Sequence, residues 1–118
     1  MTDREELEIA VKALDSKKAK SITALKVEEL TILANYFVIA SASSTTQVKA
    51  LADEVEFQLG EKGVKPKGIE GYQSKEWIVL DYYDIIVHVF LEETRDFYQL
   101  ERLWADGTPV DISEITKE

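Results

Sequence analysis

The sequence predicts an α/β (α+β) domain built on a mixed β-sheet of about five strands flanked by helices. Three observations carry this. NYFVIASA, residues 35–42, is an apolar run rich in aromatic and β-branched residues, as expected of a strand buried on both faces. A helical pattern follows it and returns to strand-like sequence by residue 70, an order that calls for a crossover unit rather than a plain hairpin sheet. WIVLDYYDIIVHVF, residues 77–90, then sets two β-rich runs around a tight connection.

The first element is a helix, because Leu7, Ala10, Val11 and Leu14 fall at i, i+3, i+4 and i+7 among charged residues. SITALKV, residues 21–27, alternates and reads as a strand. EELTILA, residues 28–34, suits either a turn or a helical stub. After strand 35–42, Ser44 and Gln47 form a capping-box pair ahead of Val48, Leu51, Ala52, Val55 and Leu59, which predicts a helix from 44 to about 60 with Gly60 and Gly63 at its exit. GIEGY, residues 68–72, is a short edge strand. Phe97, Leu100 and Trp104 at i, i+3 and i+7 predict a closing helix or two short turns.

At 118 residues the chain suits one domain, placed at 1–106, with a polar, acidic and loosely ordered tail over 107–118. There is no cysteine, hence no disulfide, thiolate nucleophile or Cys-ligated zinc. The N-terminal residues are charged, and no segment approaches the roughly 20 apolar residues of a membrane helix. These features read as a cytoplasmic protein without membrane contact. Fourteen Lys and Arg against 23 Asp and Glu leave a net charge of −9. Phosphate backbones are bound by neutralising cations, so little direct nucleic-acid contact is expected. The charge serves solubility, and it also suits a basic protein partner.

The stretch 77–90 carries the candidate chemistry. With Tyr82 and Tyr83 as a two-residue loop, Asp81 faces Asp84, Val79 faces Ile86 and Trp77 faces His88. These six share one face with Phe90. Ile78, Leu80, Ile85, Val87 and Val89 form an aliphatic face for the core. A primed turn demands positive φ, which tyrosine disfavours, and this points to a longer loop. Asp84 and His88 stand about 13 Å apart along the strand, too far to share a metal or form a catalytic pair. His88 therefore reads as a histidine packed on Trp77, and Asp81 and Asp84 as turn residues. The strand-turn-helix over 35–60 loosely resembles that of nucleotidyltransferases. The turn SASS lacks their glycine, however, and Asp-x-x-Asp does not place two carboxylates on one face for magnesium. No Walker or G-x-G-x-x-G motif is present. No catalytic residue, metal or cofactor is assigned.

NYFVIASASSTTQVKALADEVE, EGYQSKEWIVLDYYDIIVHVF and RDFYQLERLW, in that order, resemble the ribosomal silencing factor family, also called the Iojap family. The match spans residues 34–106. Asn35, Ala42 and Tyr83 depart from the family pattern, standing where it has aspartate, glycine and glycine. The resemblance implies a reduced nucleotidyltransferase-like fold without enzymatic activity. It further implies binding to a large-subunit ribosomal protein, the fourteenth in standard naming, on the face of the large ribosomal subunit that meets the small one. Occupying that face blocks subunit joining and represses translation when nutrients are short; a role in large-subunit assembly and a homodimer are further options. The alternatives are a residual nucleotide-binding enzyme and a dimeric scaffold.

On this reading the partner-binding surface comprises Trp77 and Tyr98 as aromatic anchors and Asp81, Asp84, Glu92 and Glu101 as acids facing basic groups. Tyr82 and His88 stand at its margin, and Arg95 bridges to an acid on either protein. Phe90, Phe97 and Trp104 are assigned to the core, while Trp77 and Tyr98 are divided between core and surface.

Overall fold

The computed structural model describes residues 1–116. Helix α1 (Asp3–Ser16) leads into β1 (Lys20–Lys26) and β2 (Tyr36–Ala42). Helix α2 (Thr45–Glu61) then crosses to β3 (Gly68–Glu70), β4 (Trp77–Asp81) and β5 (Ile85–Leu91). Two short helices, α3 (Glu92–Tyr98) and α4 (Leu100–Leu103), and a two-residue strand β6 (Thr108–Pro109) complete it. The sheet has six strands in the order β3-β4-β5-β2-β1-β6. Only β2 and β5 run parallel, as the crossover requires; the other neighbours are antiparallel.

The local signals explain most of these elements. The first helix starts at a complete capping box: Glu5 N–H donates to Thr2 Oγ1 at 3.1 Å and Thr2 N–H to Glu5 Oε1 at 2.9 Å. At α2 only half of the expected box forms, with Gln47 N–H donating to Ser44 Oγ at 3.2 Å. That helix ends where Gly63 adopts φ 78°, while Gly60 stays helical. Residues 28–34 form turns and bends rather than a helical stub, leaving Leu30, Ile32 and Leu33 exposed.

Two cores sandwich the middle of the sheet. On one face α1 and α2 bring Leu7, Val11, Leu14, Val48, Leu51 and Val55 onto Val38, Ala40, Ile78, Leu80, Val87 and Val89. On the other, Leu25, Val27, Phe37, Ile39, Ile86 and Phe90 are buried with Leu100, and Trp104 packs against them. Burial on both faces is why β2 and β5 read as near-continuous apolar runs.

Three expectations are corrected here. The hairpin pairs Trp77 with Phe90, Val79 with His88 and Asp81 with Ile86, so its loop is centred on Tyr83 and Asp84. The register is displaced, and Tyr82, Tyr83 and Asp84 connect the two strands, one residue more than the two-residue loop. Tyr82 N–H donates to the Ile85 carbonyl at 2.9 Å, and Asp81 Oδ1 accepts from Tyr83 N–H at 2.9 Å. The displacement moves the register by two, so the face assignments survive even though the opposed pairs change. Second, the tail is not loose over residues 107–116. β6 pairs with β1, Val110 N–H donates to the Ala24 carbonyl at 2.9 Å, and Ile115 is buried in the α1–α2 core. Lys117 and Glu118 lie outside the described residues. Third, Phe97 is not core: it is 80% exposed.

Candidate functional site

The mixed face of β4 and β5 arises because successive strand residues point to opposite sides. Trp77 leaves β4 half-buried, and its indole stacks on Phe90 with centroids 4.7 Å apart and planes 26° from parallel. Its Nε1–H donates to His88 Nδ1 at 3.1 Å. Tyr98 lies against the other side of the cluster, 5.1 Å from Trp77, and Phe97 meets Tyr98 edge-on at 5.0 Å. The result is a graded aromatic row, from buried His88 through Trp77 to half-exposed Tyr98 and exposed Phe97.

A break in the closing helix creates this row. Gln99 takes the left-handed conformation, φ 49° and ψ 54°, ending α3 and restarting the chain as α4. Leu100 and Trp104 then turn onto the sheet, Trp104 meeting Phe37 edge-on at 5.0 Å, while Phe97, Tyr98 and Leu103 face outward. The apolar i, i+3, i+7 spacing assumed an unbroken helix. A usable signal was nevertheless present: Phe97 and Tyr98 are adjacent, and neighbouring helical residues cannot share one face, so one had to point away from the core.

Arg95 anchors the segment. It is 8% exposed. Its Nε and Nη2 reach Glu101 Oε2, each at 2.9 Å. Nη1 donates to the Ser21 carbonyl at 2.8 Å and to Ser41 Oγ at 3.2 Å, and Nη2 to Thr23 Oγ1 at 3.3 Å. One guanidinium thus ties α3 and α4 to β1 and β2, using the planar fork that lysine lacks.

The structure brings together only some of the residues expected to form one surface. Trp77, His88 and Tyr98 converge. Tyr82 does not stand at the margin: it is 2% exposed and packs in the α1–α2 core, since the displaced loop gives it the same face as Ile78 and Leu80. Burial, followed by the carboxylates of Glu56 and Glu6, pushes its phenol above its ordinary pKa. Asp81 serves the turn, four residues and about 13 Å along β4 from Trp77, and Asp84 is exposed in the loop, farther still from Trp77. Glu92 pairs with Lys20 at 2.8 Å, and Arg95 bridges to an acid of its own chain, Glu101, so these two acids are already paired within the molecule. His88 is 7% exposed, and burial depresses its pKa to about 4, so it is neutral.

The departures from the family pattern have visible settings. Asn35 Nδ2 donates to Asp3 Oδ2 at 2.8 Å, a contact that an aspartate would turn into repulsion. Ala42 is fully buried at the end of β2, and Tyr83 takes φ 72°, the conformation a glycine adopts freely. Among the described residues no group of three or more His, Cys, Asp or Glu is placed to hold a metal ion. No described helix is long and apolar enough to cross a membrane. An open cavity of about 830 Å³ lies away from the aromatic row, between Lys18–Ile22 and residues 110–116, and none of the expected site residues lines it.

The family model described as "Ribosomal silencing factor during starvation" matches residues 1–118. Among individual relatives, a protein from Halalkalibacterium halodurans named ribosomal silencing factor RsfS is 36% identical over 115 residues, covering 98% of each chain. One of the same name from Bacillus subtilis is 38% identical over 112 residues, covering 95% of each. A crystal structure of a Chromobacterium violaceum protein superposes with a TM-score of 0.87 at 41% identity, covering 89% of this chain and 88% of that one. Sequence, length and fold agree: this chain belongs to the ribosomal silencing factor family.

Proposed function

We propose that this protein represses translation by occupancy rather than chemistry. It docks through the aromatic row on a basic ribosomal protein, the fourteenth of the large subunit, at the face that receives the small subunit. Its bulk there keeps the subunits apart when nutrients are limiting. The observation that carries the reading is the outward set Phe97, Tyr98 and Leu103, in which Tyr98 meets both half-buried Trp77 and exposed Phe97. Buried aromatic anchors dominate binding energies, and a net charge of −9 favours encounter with a basic partner. Membership of the ribosomal silencing factor family supports the same reading.

The test is co-sedimentation with isolated large subunits, followed by addition of small subunits. The native protein should co-migrate and reduce subunit joining. Trp77→Ala should weaken binding more than tenfold, about 1.4 kcal/mol. Because Trp77 also packs on Phe90, Phe97→Ala provides the cleaner variant: it should leave stability unchanged and still weaken binding. Undiminished binding by both variants would refute this surface. Co-migration without any effect on joining would refute the occlusion mechanism.

A further inference from the structure

His88 is the only histidine in the chain and lies mid-strand in β5, between Ile39 of β2 and Val79 of β4. An indole N–H can only donate, so its contact makes His88 Nδ1 the acceptor and places the ring proton on Nε2. That Nε2 is buried and has no hydrogen-bond partner among the described residues. The ring is enclosed by Phe37, edge-on with centroids 5.1 Å apart, and by Phe90 at 6.3 Å. Leaving a buried donor unpaired is costly, and a phenylalanine would fill this place without that cost. What histidine supplies here and phenylalanine does not is an acceptor aimed at Trp77.

We propose that His88 is a positioning residue that locks the indole of Trp77 in one orientation and so presents its outer edge, beside Tyr98, to the partner. This rests on the docking role given to Trp77 above. Stacking on Phe90 fixes the plane of the indole but not which edge points inward. The hydrogen bond to Nδ1 selects one of the two ring flips. A ring held in its bound orientation loses less freedom on association, which raises affinity without adding a contact. The ring is neutral at physiological pH, so the acceptor lone pair is available there.

Two variants separate the lock from simple filling of space. His88→Phe keeps the volume and removes the acceptor; His88→Asn loses volume but sets an amide oxygen near the place of Nδ1. In the free protein, nitrogen-edited NMR reads the Trp77 indole N–H, assigned with Trp77→Phe. In the native protein and in His88→Asn this proton should exchange slowly. In His88→Phe it should shift and exchange roughly tenfold faster, a single hydrogen bond's worth of protection. Large-subunit binding should weaken about fivefold in His88→Phe and recover in His88→Asn. An indole signal unchanged by His88→Phe overturns the lock. So does binding that follows side-chain volume, with His88→Phe at native strength and His88→Asn weakened. If Trp77→Ala and Phe97→Ala both leave binding intact, the docking reading fails by itself, while the indole signal still decides whether the lock exists.

Discussion

Replacing Arg95 with alanine should destabilise the protein by about 3 kcal/mol, although the residue lies in a seven-residue helix near the surface. Its side chain is 9% exposed and holds the Glu101 carboxylate, the Ser21 carbonyl and two hydroxyls. Breaking a buried ion pair by removing one partner costs about 3–5 kcal/mol. Glu101 is 37% exposed and can recover water, which lowers that figure. Loss of the bonds to Ser21 and Ser41 raises it again, since bonds to a charged group are worth roughly 1.5–3 kcal/mol each and Ser41 is only 3% exposed. For a chain of this size about 3 kcal/mol corresponds to a fall in Tm of about 12 °C. Urea unfolding and calorimetry measure both quantities. Arg95→Lys should recover less than half the loss, because an ammonium cannot make the same fork of contacts. In a double-mutant cycle, Arg95 and Glu101 should couple by about 1 kcal/mol or more. A loss below about 1 kcal/mol for Arg95→Ala, or no coupling to Glu101, would show that α3 and α4 are held by their apolar contacts alone.

Other outcomes follow from single positions. Gly71 has φ 96°, and a methyl group there would stand 2.0 Å from the Trp77 carbonyl oxygen. Gly71→Ala should therefore cost about 2–4 kcal/mol in urea unfolding, while Gly68→Ala, with open space around it, should cost under about 0.5; equal effects would refute the close approach. Tyr83→Gly should stay within about 0.5 kcal/mol of native, because relief of the positive φ offsets the freer unfolded chain; a loss above about 1 kcal/mol would show that the tyrosine ring matters more than its backbone. For His88, burial lowers the folded pKa to about 4, below the ordinary 6.5 of an exposed imidazole. The unfolded chain thus binds more protons between those values, and the stability this contributes is complete above pH 6.5 and lost as pH falls toward 4. Relative to His88→Phe, the native protein should lose a little under about 1.4 kcal/mol per pH unit across the middle of that window. A pH-independent difference would refute the buried neutral imidazole.

Much of the fold is legible in the linear pattern because its signals are local. The capped α2, the stripe of α1 and the apolar strands follow from spacings of two to four residues. The hairpin was legible in its faces but not in its loop. Shifting the loop by one residue leaves every inward residue inward, so periodicity cannot distinguish the two registers; the burial of Tyr82 and the turn bond from Asp81 decide it. The aromatic row was half legible. Trp77 and Tyr98 could be named, but no glycine or asparagine marks the left-handed Gln99 that turns Phe97 outward.

By itself, then, the sequence determined the class of fold, the two faces of the last hairpin and the family. Each rests on residue types at short, fixed spacings or on an ordered set of motifs. Tertiary structure alone decided which polar groups are spent within the molecule. Arg95 meets Ser21, Thr23 and Ser41 across more than fifty residues of chain, and Lys20 meets Glu92 across as many. These pairings answer to where the sheet brings strands together, which no local pattern encodes. They hold Arg95, Glu92 and Glu101 in pairs within the molecule, while Phe97 and Tyr98 stay exposed beside them.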